Sequence, residues 1–167
     1  MRYTTVPLIP QSTGMGCWAA SIAMILSWKH SASFDPSLIA ANPGGRSYVP
    51  SLSKGLDPND RYILERNGFE MDYPQCYTPG AVESLLNACG PLWLASLAPL
   101  SGTGKSAPHI RVVTGIEGGQ VYVNDPWPVD RGARYNLSFD LVFGQMETLG
   151  TQEREEPNPI YVAFLRS

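Results

Sequence analysis

The amino-acid sequence predicts an α+β fold with a helical N-terminal half and a C-terminal, mostly antiparallel sheet. Three observations carry that expectation. From Cys17 to Gly90 the apolar segments have helical length and open on helix-start signals. From Pro91 onward the pattern changes to short apolar runs separated by turn residues. The 16 Gly and 15 Pro residues among 167 favour many turns over long helices and argue against a helical bundle.

Taken in order, residues 1–16 carry Pro7, Pro10, Gly14 and Gly16 and read as an extended lead-in that halts at Gly16. The run CWAASIAMILSW from Cys17 to about Trp28 has no Gly or Pro and is apolar nearly all round, so it reads as a helix buried on most sides. Lys29 and His30 follow, where positive charge suits a helix C-terminus. Asp35-Pro36 and Asp57-Pro58 place an N-cap residue before a Pro at the first helical position, opening helices to about Ala41 and Arg66. The stretch NPGGRSYVPS between them reads as loop. Thr78-Pro79 opens a third such helix, ended at Gly90. The strands expected next are PLWLASL, IRVVTGIE, QVYVND and, at the C-terminus, IYVAFL. The tight Gly118-Gly119 link makes the second and third an antiparallel hairpin. The polar tracts 101–108 and 151–159 are expected on the surface.

A chain of this length suits one domain, residues 1–167. Hydrophobic residues at 43% and charged residues at 16% indicate a folded chain. The formal charge of −3 offers no basic face, so neither nucleic acid nor an acidic membrane is expected as a partner. The apolar stretch Trp18 to Trp28 is too short to span a bilayer, and MRYTTVPLIPQ has no signal-peptide pattern. Cys17, Cys76 and Cys89 form an odd set without a CxxC pair, so a disulfide framework is not expected and one thiol at least is free.

That thiol is placed for chemistry. At the first turn of a helix, unsatisfied N–H groups and the positive end of the dipole both favour thiolate over thiol, which would make Cys17 a nucleophile; taken alone, it reads equally as a small buried hydrophobe. A nucleophilic Cys needs a base, and the chain has two histidines. His30 lies at the far end of the same helix, roughly 20 Å away at the rise of an α-helix, too far to take the proton. His109 opens a strand after a polar loop, as a general base at a cleft edge would. The next strand ends in Asn124-Asp125, and either type can accept an imidazole N–H.

The segment QSTGMGCWAA, residues 11–20, resembles the papain-like cysteine peptidases, whose motif has a Gln six residues before the nucleophile and Trp-Ala after it. The resemblance implies a papain-like fold in which the helix that starts at the nucleophile is central. It also implies that the Gln11 side-chain amide and the Cys17 backbone N–H form an oxyanion hole. Gly14-Met15-Gly16 stands where animal and plant papains carry a second Cys, and Cys17 and His109 are 92 residues apart against the roughly 130–150 of the papain signature. With VVTGI and VNDPWP, the pattern is similar to the compact avirulence-protease branch of bacterial effectors. The resemblance also favours Asp125 over Asn124, because the family places a Trp two residues after the orienting residue to shield its hydrogen bond, and Trp127 has that offset from Asp125. Strand alternation agrees, with Val121, Val123 and Asp125 on one face, and a carboxylate stabilises an imidazolium by charge.

The expected activity is hydrolysis of a peptide bond through a Cys17 thioester, with no cofactor and no metal, by a monomer acting on a protein or peptide. A cognate inhibitor or immunity protein would suit an effector or toxin delivered into another cell by a specialised secretion system; without such delivery the chain would be cytoplasmic. The same residues could serve an amidase, including a cell-wall amidase toxin, a deamidase or an acyltransferase, and a non-catalytic peptide-binding module is the rival from another class. Other features carry less. GTGKS at 102–106 has Pro99 where a phosphate-binding loop needs its first Gly, and no helix follows. Cys76 and Cys89 lack zinc spacing, Glu153, Glu155 and Glu156 read as a solvated charge run, and Trp18, Trp28 and Trp93 read as core.

Overall fold

The computed structural model describes residues 2–41, 52, 55, 56, 60–100, 102–153 and 159–165. Helix α1 (Cys17–His30) is buried without interruption from Cys17 to Ser27, as its all-round apolar sequence requires, and ends at Ser31 in the left-handed conformation. Two short helices, α2 (Pro36–Ala41) and α3 (Arg61–Arg66), lead to a three-residue strand β1 (Phe69–Met71). Helix α4 (Pro79–Cys89) opens on Thr78, whose side chain accepts from the Ala81 N–H, and stops at Gly90.

The sheet continues with β2 (Leu92–Pro99), β3 (Ser106–Glu117), β4 (Gln120–Asp125) and β5 (Ala133–Ser138). Helix α5 (Phe139–Gln152) and strand β6 (Val162–Leu165) close the described chain. The strand order is β1-β6-β2-β3-β4-β5, and each pair is antiparallel. This is the α+β architecture expected of a papain-like chain. Gly118 and Gly119, both at positive φ, make the β3–β4 turn. A register shift between Val113 and Gly115 bulges β3 against β4. Helix α1 packs on β3 and β2, and α5 packs chiefly on β2. Between these layers lies a core that includes Trp18, Ile22, Met24, Trp93, Val112 and Phe143.

The division into helical and sheet halves is less clean than the sequence suggested. β1 falls among the helices, while β5 and α5 occupy a stretch for which no element was expected. The polar tract 101–108 narrows to a turn, because β3 already begins at Ser106. Thr151 and Gln152 of the second polar tract belong to the last turn of α5. The loop expected over 42–51, the Asp57-Pro58 helix start, and Glu155 and Glu156 lie outside the described residues. Among the described residues no helix is long and apolar enough to cross a membrane.

The lead-in binds across the sheet rather than hanging free. The Tyr3 N–H donates to the Thr114 carbonyl at 2.6 Å, its hydroxyl donates to the Leu86 carbonyl at 2.8 Å, and its ring meets Trp28 edge-on. Farther along, the Gln11 N–H donates to the Pro126 carbonyl and the Asp130 N–H donates to the Gln11 carbonyl. Gln11 is thereby clamped to the loop that follows β4.

Candidate active site

Cys17 is the first residue of α1 and 8% exposed. Gly16 offers no side-chain cap, so the positive end of the helix is directed at the Cys17 sulfur. A side chain at Gly16 would meet Thr13 Oγ1 at 3.3 Å, which keeps this approach to the helix narrow.

His109 is the fourth residue of β3, opposite Ser96 in the β2 register. Val112 pairs with Asn124, so Asp125 falls beside Arg111 and diagonal to His109, with all three side chains on one face. His109 Nε2 lies 2.7 Å from Asp125 Oδ1, and both side chains are largely buried. The Cys17 side chain lies close enough to the same ring to act on its charge. With Nε2 on Asp125, Nδ1 is the nitrogen left for the sulfur. Burial alone would lower the imidazole pKa, yet the hydrogen bond to Asp125 and the influence of Cys17 and the Asp125 charge prevail and raise it to about 9. Burial would likewise raise the Asp125 pKa, but His109, Tyr135 and the Trp127 N–H hold it below the usual carboxylate value.

Asp125 accepts three hydrogen bonds: from His109, from the Trp127 N–H at 2.8 Å and from the Tyr135 hydroxyl at 2.5 Å. Asn124, on the other face of β4, has different work. Its amide donates to the carbonyls of Val6 and Pro7 and accepts from Arg134 Nε, fastening the lead-in to the sheet. The structure thus brings Asp125, and not Asn124, onto His109.

Trp127, at the expected offset, meets Asp125 through its backbone N–H. The residue as a whole is 49% exposed. The loop from Pro126 to Asp130 is held by the Gln11 backbone at both ends. Gln11 itself is buried, with Nε2 donating to the Thr13 carbonyl at 2.7 Å and Oε1 without a partner. One amide proton is committed to Thr13, and the second remains available.

The other sequence candidates separate from this group. His30 sits at the far end of α1 beside Phe34, exposed. Cys76 is exposed, Cys89 is partly buried, and both are free. Trp18 and Trp93 are core, and Trp28 packs half-buried on Tyr3. Among the described residues no cluster of His, Cys, Asp or Glu could hold a metal. Tyr135 and Arg111 join the site without any sequence expectation. Tyr135 pairs with Val123 in register and so reaches Asp125 diagonally from β5, a relation visible only once strand order is known.

No curated protein sequence matches the chain closely enough to count as a relative. Solved structures give the fold. A putative C39-like peptidase from Bacillus anthracis superposes with a TM-score of 0.65 at 16% identity, covering 99% of this chain and 97% of that one. The peptidase domain of Streptococcus ComA, a bi-functional ABC transporter, gives 0.59 at 14% identity, covering 96% and 98%. A structure from a study of the mite allergens Blo t 1 and Der p 1 gives 0.57 at 12% identity, covering 97% of this chain and 67% of that one. At the level of sequence, residues 1–141 match the family model described as papain-like cysteine protease AvrRpt2. That span runs from the lead-in through Cys17, His109 and Asp125 to the start of α5 and covers most of the chain, which therefore belongs to this family of papain-like cysteine peptidases.

Proposed function

We propose that the protein hydrolyses peptide bonds through a thioester on Cys17. The observation that carries this reading is the His109–Asp125 pair at 2.7 Å with the Cys17 side chain close to the same imidazole. The Cys17 thiolate attacks the substrate carbonyl carbon; a C–S bond forms and the π electrons move to oxygen. The Cys17 N–H and the second Gln11 Nε2 proton donate to that oxyanion. On collapse the C–N bond breaks and imidazolium His109 gives its proton to the departing amine. Water then attacks the thioester, passes a proton to His109, and the C–S bond breaks to return the thiolate and release the acid. Asp125 holds the ring in register and stabilises its charged form throughout.

The test is incubation of the protein and its Cys17→Ala variant with a peptide library and with purified peptidoglycan. Peptide cleavage by the parent alone, with both proteins melting alike, is the expected result. Release of muropeptides without peptide cleavage would assign the site to a cell-wall amidase. The effector role rests on the family resemblance, and so does action as a monomer inside a cell other than the producer. Expression of parent and Cys17→Ala chains in eukaryotic cells, followed by comparison of newly formed protein N-termini, tests it; identical patterns would remove it.

A further inference from the structure

Arg111 is 2% exposed, in the middle of β3. Its guanidinium donates to Ser96 Oγ at 2.5 Å, to the Leu97 carbonyl at 3.2 Å and to Gln145 Oε1 of α5 at 3.1 Å, and its Nε has no partner. These acceptors are all neutral. A buried cation surrounded by neutral oxygens carries a desolvation cost that ordinary sheet packing does not explain, since an apolar side chain would fill the same place without it. Arg111 stands beside Asp125 in the β3–β4 register, and Tyr135, diagonal to Asp125 on β5, is the residue whose hydroxyl meets Asp125 Oδ2.

The donor arithmetic then sets the direction of each bond. Arg has only donors and Tyr has one hydroxyl proton. The ionised Asp125 carboxylate can only accept, so the Tyr135 proton must point at Asp125. A hydrogen-bonded path results, from His109 on β3 to Asp125 on β4 and on to Tyr135 on β5, with Arg111 of β3 beside Asp125 in the register. Burial and the nearby Asp125 carboxylate push the Tyr135 pKa up to about 12, so the hydroxyl keeps its proton over the working range.

We propose that Arg111 and Tyr135 are positioning residues that lock the Asp125 carboxylate onto His109, with Arg111 as the remote counter-charge of the site. Neither touches substrate. Of the carboxylate's three donors, His109 and Trp127 both bind Oδ1, and Tyr135 alone holds Oδ2. Without it the carboxylate is free to rotate off the imidazole. The groups that face this path are Cys17 from α1, His109 and Arg111 from β3, Asp125 from β4, Tyr135 from β5 and the neutral Gln145 from α5.

The proposal rests on the reading of His109 as the proton carrier, and the experiment separates the two. The chain has two histidines, so the imidazole resonances of the free protein can be titrated by NMR with exposed His30 as internal reference. Tyr135→Phe, Arg111→Met and the double variant are compared with the parent. The expected result is a His109 midpoint that falls in both single variants and no further in the double, while His30 does not move. In peptide cleavage kcat should drop about tenfold or more, with KM within about twofold and the losses not additive. A His109 midpoint equal to or above the parent's in Tyr135→Phe would overturn the proposal. So would losses that add in the double variant, since that is how two independent packing defects behave. Tyr135→Phe deletes a single oxygen and carries the test if Arg111→Met does not fold. If the parent cleaves no peptide, the peptidase reading fails, and the titration still decides whether this path holds Asp125.

Discussion

Asp125 and Asn124 are adjacent in sequence and do separate work because alternate residues of a strand face opposite sides. Asp125→Ala should therefore remove the partner of His109 and lower kcat/KM by orders of magnitude, whereas Asn124→Ala releases the carbonyls of Val6 and Pro7 and should act on stability. We expect Asn124→Ala to cost about 1–3 kcal/mol of unfolding free energy in a urea titration, with cleavage nearly unchanged. A kinetic ranking in the opposite order would move the imidazole partner to Asn124. Gln11→Ala should lower kcat on the order of 10²-fold, the cost of one oxyanion donor, while iodoacetamide still alkylates Cys17 at nearly the parent rate. Parallel loss of both would show that the buried Gln11 side chain, through its bond to the Thr13 carbonyl, holds the lead-in beside Cys17 instead. The grouping of Cys17, His109 and Asp125 was legible in the sequence because a Cys at a helix start and a His at a strand start carry local signals, and the papain-like motif around them, with its Trp offset, singled out Cys17 and Asp125. Tyr135 and Arg111 were not, because their part is set by cross-strand register, which no local pattern encodes.

Helix α4 and strand β2 show how sharply one junction can be determined. Gly90 ends α4 at φ +82°, and a Cβ there would lie 2.4 Å from the Trp28 ring of α1. Gly90→Ala must push that buried-edge indole aside and accept a strained backbone, so we expect a loss of about 2–4 kcal/mol and a clearly lower melting temperature. An unchanged melt would mean that Trp28 can swing away without cost. The same Gly was readable as a helix stop, and the Pro36 and Pro79 starts were equally plain, because caps act within one turn of chain. Strand β5 was hidden by its composition: ARYNLS alternates exposed and half-buried side chains on the last strand of the sheet order and never forms an apolar run. Helix α5 was masked by Gly144, Gly150 and two Thr residues, all poor helix formers. A usable signal was present nonetheless. Ser138 caps the helix, and Phe139, Val142, Phe143, Met146 and Leu149 repeat at helical spacing and are buried. β1, at three residues, is shorter than any periodicity can define.

Across the whole molecule, the His109–Asp125 pair ties the folded state to pH with opposite signs at its two ends. His109 is raised from its ordinary value of 6.5 to about 9, so its contribution is fully present below about 6.5 and is lost as pH rises through about 9. Asp125 is lowered from its ordinary 3.8, so its contribution is present above that value and is lost as pH falls through its folded-state pKa. The pair therefore stabilises most between about pH 4 and 6.5, and its effect fades toward alkaline pH. Activity should keep a related alkaline limit, because His109 must carry a proton to release the amine. Urea midpoints of the parent and His109→Gln, measured from pH 4 to 10, should differ most in the mildly acid range and converge through about pH 9. The cleavage rate of the parent should decline over the same alkaline interval. A difference between the two proteins that stayed constant up to pH 10 would mean that the imidazole is neutral in the folded chain, and the thiolate–imidazolium mechanism would have to give way to one in which His109 acts only as a base.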